Sequence, residues 1–585
     1  MKTESKTRAG HEQPGGGAAA HLSAESMPIE SARPDTIRDT IESIVVAFIM
    51  AFVFRAFIVE AFIIPTGSMA PSLYGEHGQH RCAMCQYPFA YGLREAIPGT
   101  PQQATLASSF SVRCPNCGWE GEGNRSLNLA SERVVPNAGD RILVLKWPYD
   151  LPGSWLGPQR WDVVVFKDPK DCKTNFIKRM IGLPGEVLEI IDGDIYTARR
   201  ETVPDDIIAA LSQPPPRSPQ ERRLNKSQVE RLAKVLKIQR KTQVAQSSLW
   251  MLHYNHDYMP RDLHARFGGF YNPPYWEGTS AAARKAWDAT KPVVRFEPPD
   301  DQLYWLALKG KPIQDGYGYN SVNYGQRQRE RARDVGDVKL QFALLPGKGS
   351  GEIALRLSKG SDRFRVRIAS DGVVRLEHPR KGDVWGLLKE ARIAPLQAGK
   401  PLDVEYENLD YRVTLRIEGQ RVLWTDGDQY HPDILKLLRP PYKDGRDQNA
   451  QVAIGCRGMA VEIHHLQVYR DVCYRSDFLL GRPMRLDDRS LKGYPGWATA
   501  TNPIYLRQTP PDYFCCGDNS PQSQDGRLWV DVCPMLRERG NYQYGTVPGD
   551  QLIGRAFFVY WPSGLRFSKD TPAVIPNVGR MRIIR

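Results

Sequence analysis

The sequence predicts a mainly β chain behind one N-terminal membrane span. Three observations carry this. A single long apolar segment occurs, and it lies near the start. Short β-branched runs recur beyond it, at 139–147 and 160–167. From Val335 to Tyr474 alternating strands follow one another with turn signals between them, the pattern of a β-sandwich. With 585 residues the chain exceeds one ordinary core, so several domains are expected. Charged residues make up 25% and hydrophobic ones 41%, as in globular proteins. The net charge of +13 reads either as a solvated basic surface or as attraction to anionic lipid headgroups. No aromatic–basic motif accompanies it, so no nucleic acid partner is expected.

Residues 1–34 read as a disordered cytoplasmic tail, being rich in Gly, Ala, Ser and Glu and poor in large apolar residues. The apolar stretch begins too late, and lacks a convincing cleavage pattern, for a signal peptide. Residues 35–60 read as a transmembrane helix. Its uncharged part, Ser43 to Phe54, is short for a span, but Arg55 can snorkel at one end and Glu42 sits near the interface at the other. The competing reading is a buried core helix. Lys2, Lys6, Arg8, Arg33 and Arg38 precede the segment and place the N-terminus in the cytoplasm. Everything beyond Phe62 is then outside, on the outer or periplasmic face of the cell (inner) membrane.

Directly after this segment stands Pro65-Thr66-Gly67-Ser68-Met69-Ala70-Pro71-Ser72. A serine so placed is a candidate nucleophile, although Ser-rich turns are common. Further on come Asn175-Phe176-Ile177-Lys178-Arg179-Met180-Ile181-Gly182 and Gly517-Asp518-Asn519-Ser520-Pro521-Gln522-Ser523-Gln524-Asp525-Gly526-Arg527. A serine hydroxyl needs a base, and the oxyanion that its attack creates needs preorganised donors. The bland reading of Lys178-Arg179 is an exposed basic pair.

In this order the boxes resemble the type I bacterial signal peptidases. Phe62 to Leu73 is similar to the first signature box, Gly139-Asp140 with its strand to the second, and Lys178 falls in the third. Asp512 to Asn519 resembles the strand entering the last box, and Gln551 to Pro562 the closing strand. The resemblance covers about 36–79, 131–197 and 503–563. It implies a membrane-anchored serine endopeptidase with a Ser–Lys dyad, Ser68 as nucleophile and Lys178 as general base. Such a lysine must be neutral. Its reference pKa is about 10.4, and reaching about 8 by burial costs roughly 3 kcal/mol. The resemblance further implies that Thr66 and the Ser68 N–H hold the oxyanion, that Ser523 hydrogen-bonds Lys178, and that Asp525 and Arg527 brace the site as an ion pair. Ser520 and Pro521 stand where the family usually has Arg and Asp. Phe62, Ile64 and Ile177 are expected to line shallow substrate pockets. The implied substrates are secretory precursor proteins, whose signal peptides are removed after translocation. The implied surroundings are the lipid bilayer and the secretion translocon. No cofactor is needed for catalysis.

Two insertions interrupt the pattern. Within 81–130 lie Cys82-Ala-Met-Cys85 and Cys114-Pro-Asn-Cys117. Two such knuckles read as a zinc-ribbon-like unit with Cys82, Cys85, Cys114 and Cys117 around a structural Zn, the alternatives being disulfides or redox pairs. The remaining cysteines, Cys172, Cys456, Cys473, Cys515, Cys516 and Cys533, form an even set whose pairing the sequence does not reveal. The second insertion follows the core segments 61–80 and 131–200. It comprises a helical and irregular stretch, 201–334, and a sandwich, 335–475, before the core resumes over 476–585. Pro214-Pro215-Pro216 marks a linker. Residues 224–245 predict a basic amphipathic helix with Val229, Leu232, Val235 and Leu236 on one side, packed on neighbours rather than laid on lipid. Residues 250–330, rich in Trp, Tyr and Pro, have no assignment. The sandwich is similar to lectin-like jelly rolls of the concanavalin or laminin-G type, and either binds a glycan or serves as a spacer. His464 and His465 are expected on opposite faces of one strand, which makes them poor joint metal ligands. The alternative function is a membrane-tethered glycan- or protein-binding module on an inactive peptidase scaffold.

Overall fold

The computed structural model describes residues 36–92, 112–119, 137–150, 157–213, 223–263, 272–316, 319, 332–380, 384–438, 450–474, 496–498, 502–529, 531–540, 542–564, 575 and 577–584. The tail 1–34 and the Pro214–Pro216 linker lie outside them. The chain divides into two units, Met1–Ala56 and Phe57–Arg585.

In the first unit Thr36–Val53 is an α-helix, and the π-helical turns that continue it, Phe54–Ile58, run on into the second unit. Its apolar residues surround the axis. Ile41, Phe48, Ile49, Met50 and Phe52 are all exposed. A helix apolar on every side and buried on none needs a lipid or protein surround. Among the described residues, Ile37–Ile58 is the one helix long and apolar enough to cross a membrane. Arg38 and Glu42 pair at 3.0 Å one turn apart near its start.

The second unit opens on a β-sheet assembled from distant pieces of sequence. Its strand order is Val59–Ile63, Arg141–Leu145, Leu552–Trp561, Val163–Lys167, Asn175–Gly182, Asp512–Cys516 and Val547–Pro548, with Arg582–Ile583 also on Leu552–Trp561. The pairings are antiparallel, with Phe62 opposite Ile142, Val164 opposite Lys178 and Cys515 opposite Met180. β-Branched residues of the central strands fill one core with Ile64, Met69, Leu73, Ile142 and Val144. A hairpin follows: Glu186–Ile191 pairs with Asp194–Arg199. Asp192 and Gly193 close it with positive φ values of 53° and 92°. That is the twist a two-residue hairpin turn requires.

The inserted sandwich is built on two long strands, Val338–Lys359 and Val452–Arg470, paired along their length. Leu340 lies opposite Tyr406 of Leu402–Leu409, while Leu355 lies opposite Val366 of Asp362–Ala369. One strand therefore serves both layers. The bend falls where glycines allow it. Gly349 has φ of 110°, and a Cβ on Gly351 would lie 1.9 Å from the Arg457 carbonyl oxygen. Between the layers Leu340, Phe342, Leu355, Phe364, Val366, Tyr406 and Ile454 form one core.

Residues 250–330, unassigned from sequence, add short strands to this sheet, including Met251–Asn255, Tyr275–Gly278 and Tyr304–Lys309. The single helix expected over 224–245 is broken. Lys226–Val235 is a helix with an Asn225–Gln228 capping box. Leu236 leaves it extended, Lys237–Ile238 pairs with Thr197 and Tyr196, and Gln243–Leu249 is a second helix capped by Thr242. Leu232 and Leu236 are buried beside Ile207 and Leu211, so the apolar side packs on protein as expected. The histidine pair also differs from expectation. His465 has φ of 52° and the ladder slips a register there, a bulge that leaves both rings off the core face with centroids 6.5 Å apart.

Candidate active site

Ser68 sits in a single 3₁₀ turn, Gly67–Met69, between the strand Val59–Ile63 and the knuckle hairpin, in which His77–Arg81 pairs with Pro88–Gly92. The turn is tied down from the other end of the sequence. The Asn519 N–H donates to the Ser68 carbonyl at 3.0 Å, and the Asn519 side-chain amide donates to the Gly67 carbonyl at 2.9 Å. Ser68 is 7% exposed and Lys178 4%.

Lys178 comes from the middle of Asn175–Gly182. Its Nζ lies 2.8 Å from Ser68 Oγ and 3.0 Å from the Ile177 carbonyl. The Phe176 ring centroid is 5.0 Å away. Thr66 Oγ1 stands 3.5 Å from Ser68 Oγ, on the solvent side of the turn. A buried amine in contact with a hydroxyl can move a proton either way along that contact.

Strand alternation sends the next residue, Arg179, to the opposite face. There it is 1% exposed and forms a two-pronged ion pair with Asp518, Nε to Oδ1 and Nη2 to Oδ2 both at 2.8 Å. Burial works against that charge, but Asp518 outweighs it and holds the guanidinium above its ordinary range. The bland reading of an exposed Lys–Arg pair is thus replaced: each side chain is buried with its own partner. Asp518 and Asn519 are neighbours in one motif, and each grips a different part of the site.

Asp525 and Arg527 pair as expected, Nε to Oδ1 at 2.8 Å and Nη2 to Oδ2 at 2.6 Å, both fully buried. Asp525 also accepts from the Gly517 N–H at 2.9 Å. Arg527 reaches Ser520, at its hydroxyl (2.8 Å) and its carbonyl (3.1 Å). The position that departs from the family pattern is therefore taken up by the bracing arginine. Ser523 differs from expectation. Its buried Oγ makes no hydrogen bond to Lys178, whose Nζ contacts Ser68 and the Ile177 carbonyl. Ser523 packs against Gly517, where an added Cβ would meet its Oγ at 2.2 Å. Ile64 and Ile177 are buried in the core around Met69, with Phe62 partly buried against it.

Residues 128–258 and 453–561 match the family model described as "Signal peptidase, peptidase S26". Over these segments the chain is similar to the signal peptidases. The first matched segment contains Lys178 and the second Ser523, Asp525 and Arg527, whereas Ser68 precedes both. Signal peptidase I of Buchnera aphidicola subsp. Baizongia pistaciae is 35% identical over 89 residues, 14% of this chain and 28% of that one. Signal peptidase I of Rickettsia bellii (strain OSU 85-389) is 23% identical over 167 residues, 28% of this chain and 42% of that one. The chain thus spans less than half the length of these curated signal peptidases. Among solved structures, the carbohydrate binding module CBM66 from Bacillus subtilis is matched over 33% of this chain and 94% of that one, at 10% identity and a TM-score of 0.22. That score is too low to build on.

Away from this centre, Cys82, Cys85, Cys114 and Cys117 converge. Their sulfurs all lie within 4.8 Å of one another, buried, with Cys82–Cys117 and Cys85–Cys114 at 3.6 Å. A disulfide needs about 2.05 Å, and sulfurs around a tetrahedral zinc at about 2.3 Å stand roughly 3.8 Å apart. The spacing fits the metal. The one disulfide among the described residues joins Cys172 to Cys533, a pairing the sequence did not reveal.

Proposed function

We propose that this chain is a membrane-anchored serine endopeptidase that removes signal peptides from secretory precursors. The observation that carries the reading is the 2.8 Å contact between Lys178 Nζ and Ser68 Oγ, at two buried side chains. The neutral amine of Lys178 takes the hydroxyl proton as Ser68 Oγ attacks the scissile carbonyl carbon. The Ser68 N–H and the Thr66 hydroxyl receive the oxyanion. As the C–N bond breaks, Lys178 returns the proton to the departing amine, leaving the leader acylated on Ser68. Water, deprotonated by Lys178, then hydrolyses the ester. Asp525, Arg527 and Asn519 keep the loop rigid through these steps. The test is cleavage of a precursor in detergent micelles by the full chain. Ser68→Ala and Lys178→Ala should each abolish it, and full retention in either variant ends the dyad assignment.

The helix Ile37–Ile58 serves as the anchor, with the peptidase outside. The Cys172–Cys533 bridge supports an oxidising compartment. The four-cysteine cluster would hold a zinc ion by Cys82, Cys85, Cys114 and Cys117. Four protein sulfurs leave no open position, so the metal would be structural. Purified protein should contain about one zinc per chain, and Cys82→Ser should lose it.

A second reading concerns the sandwich. Trp305 and Trp385 flank Arg356 on its outer face, at 4.0 and 5.7 Å from the ring centroids. Arg365 pairs with Glu377 at 2.6 Å beside them. Flat indole faces next to fixed Arg–Glu pairs suit a sugar ring, and this face would hold a glycan. Loss of cell-wall glycan binding in Trp385→Ala full-length protein is the expected result, and unchanged binding would refute it.

A further inference from the structure

A cavity of about 800 Å³ opens where the knuckle hairpin, the serine loop and the sandwich meet. This is within the size range of ligand sites, about 300–1,000 Å³. Its wall is largely aromatic, with Tyr74, Phe89, Trp250, Tyr319 and Tyr469 among the lining residues. Tyr74 and Tyr319 stack at 5.6 Å, and the Arg580 guanidinium lies 4.5 Å over Tyr74. Asp140 holds Arg580 at 3.2 Å. Arg81 supplies a second cation to the wall. Among the described lining residues none is Asp or Glu.

Two connections join this cavity to the nucleophile. A Cβ placed on Gly67 would lie 2.5 Å from the Tyr319 ring, so one wall residue touches the neighbour of Ser68. Pro71, which also lines the cavity, is three residues beyond Ser68. At about 3.6 Å per extended residue, its Cα lies within about 11 Å of that of Ser68. A polypeptide held at Ser68 and running extended enters the cavity after three or four residues.

We propose that this cavity is an extended substrate subsite. It takes the segment of the precursor three to six residues from the cut and selects acidic and aromatic side chains there. The choice rests on the peptidase reading above and on two properties of the wall. Ring-lined surfaces favour aromatic partners in edge-to-face or offset contact. A cation without a lining carboxylate favours acidic partners and disfavours basic ones. Asp140 balances Arg580, so the charge that acts on a ligand is that of Arg81, on the hairpin strand His77–Arg81.

The test uses the full chain in detergent micelles and a set of precursor peptides identical around the cut. Some carry an Asp-Tyr-Glu segment three to six residues away, on either side of the bond, and others Lys-Ala-Lys. Wild-type kcat/KM should favour the acidic–aromatic peptide, in at least one placement, by about tenfold. Arg81→Glu should bring that ratio to about one or invert it. Binding of the same labelled peptides to Ser68→Ala, followed by anisotropy, should show the same preference without turnover. Cleavage with equal rates for all peptides overturns the subsite and leaves the peptidase reading intact. Preferential binding without wild-type cleavage upholds the subsite and removes the peptidase reading. Displacement of the peptides by chitotetraose, with no preference among them, overturns the proposal in favour of a sugar site.

Discussion

Asn519 clamps the turn that presents Ser68, although the two stand 451 positions apart (519 − 68) with two insertions between them. Its backbone N–H holds the Ser68 carbonyl at 3.0 Å and its side chain the Gly67 carbonyl at 2.9 Å. The serine turn has no strand of its own, so its orientation toward Lys178 is set by this clamp and by Met69 in the core beneath it.

Asn519→Ala removes the side-chain half of the clamp. A net loss of about 1 kcal/mol in stability is expected. The larger effect should fall on rate, because a nucleophile displaced by about 1 Å can lose on the order of a hundredfold. We expect kcat on a precursor to fall ten- to a hundredfold while KM changes little. An unchanged kcat would mean that the turn holds its own geometry.

Asp525→Asn tests the brace. Burial works against the ionised carboxylate, yet Arg527 outweighs it and holds Asp525 below its ordinary range. An acid depressed by folding contributes stability that is present above its unfolded pKa, about 3.9, and is lost as pH falls through the folded value. The wild type should therefore lose stability in acid below about pH 4, and the variant should lack that step. At neutral pH the variant leaves Arg527 buried without its charge partner, at a cost of about 3–5 kcal/mol. Urea unfolding at pH 3, 5 and 7 measures both effects.

These residues were readable because the chemistry demands fixed residue types within short motifs. Ser68, Lys178, Asp525 and Arg527 each stand in a box whose neighbours set the geometry. Arg179 was not readable, since its burial depends on Asp518, a residue more than three hundred positions away in the chain. The strands of 250–330 were hidden for a similar reason. Each is only a few residues long, and pairs such as Leu306 with Ile454 form across more than a hundred residues. Trp and Pro spacing within such pieces carries no period. The break at Leu236 was signalled locally by Asn225 and Thr242, both capping residues, but periodicity alone ran the two helices together. The sandwich strands were legible because Asp362–Ala369 alternates buried Phe364, Val366 and Ile368 with half-buried Arg365 and Arg367, and Arg412–Ile417 alternates in residue type although Thr414 is buried as well.

The Cys172–Cys533 bridge closes a loop with a sequence separation of 361 residues, between the segment after Val163–Lys167 and the helix Pro534–Glu538. Loops of this length give an entropic stabilisation of about 6 kcal/mol in the chain-entropy account, with measured losses usually about 2–5 kcal/mol. Cys172→Ser should lower the urea midpoint accordingly, and dithiothreitol should do the same to the wild type but nothing further to the variant. A reductant-insensitive wild type would show that the bridge is absent in solution.

Glu189 gives the opposite pH sign to Asp525. It lies in Glu186–Ile191 opposite Tyr196, on the same face as Val187 and Ile191, and is 3% exposed. That face packs against Ile207, Leu211 and Leu232. Burial pushes its carboxyl from 4.5 up to about 8. The folded chain therefore keeps a proton that the unfolded chain gives up. The stability tied to this proton is complete below about pH 4.3 and declines as pH rises, until it is gone above about 8. A shift of this size corresponds to roughly 3–5 kcal/mol across the window. Glu189→Gln keeps the shape and the hydrogen-bonding capacity but cannot ionise. The variant should match the wild type near pH 4 and exceed it by a few kcal/mol at pH 8.5, with a flatter profile between. Unfolding curves at pH 4, 6 and 8.5 decide this. Parallel profiles for the two proteins would show that Glu189 is ionised in the fold and that a partner or water compensates its charge.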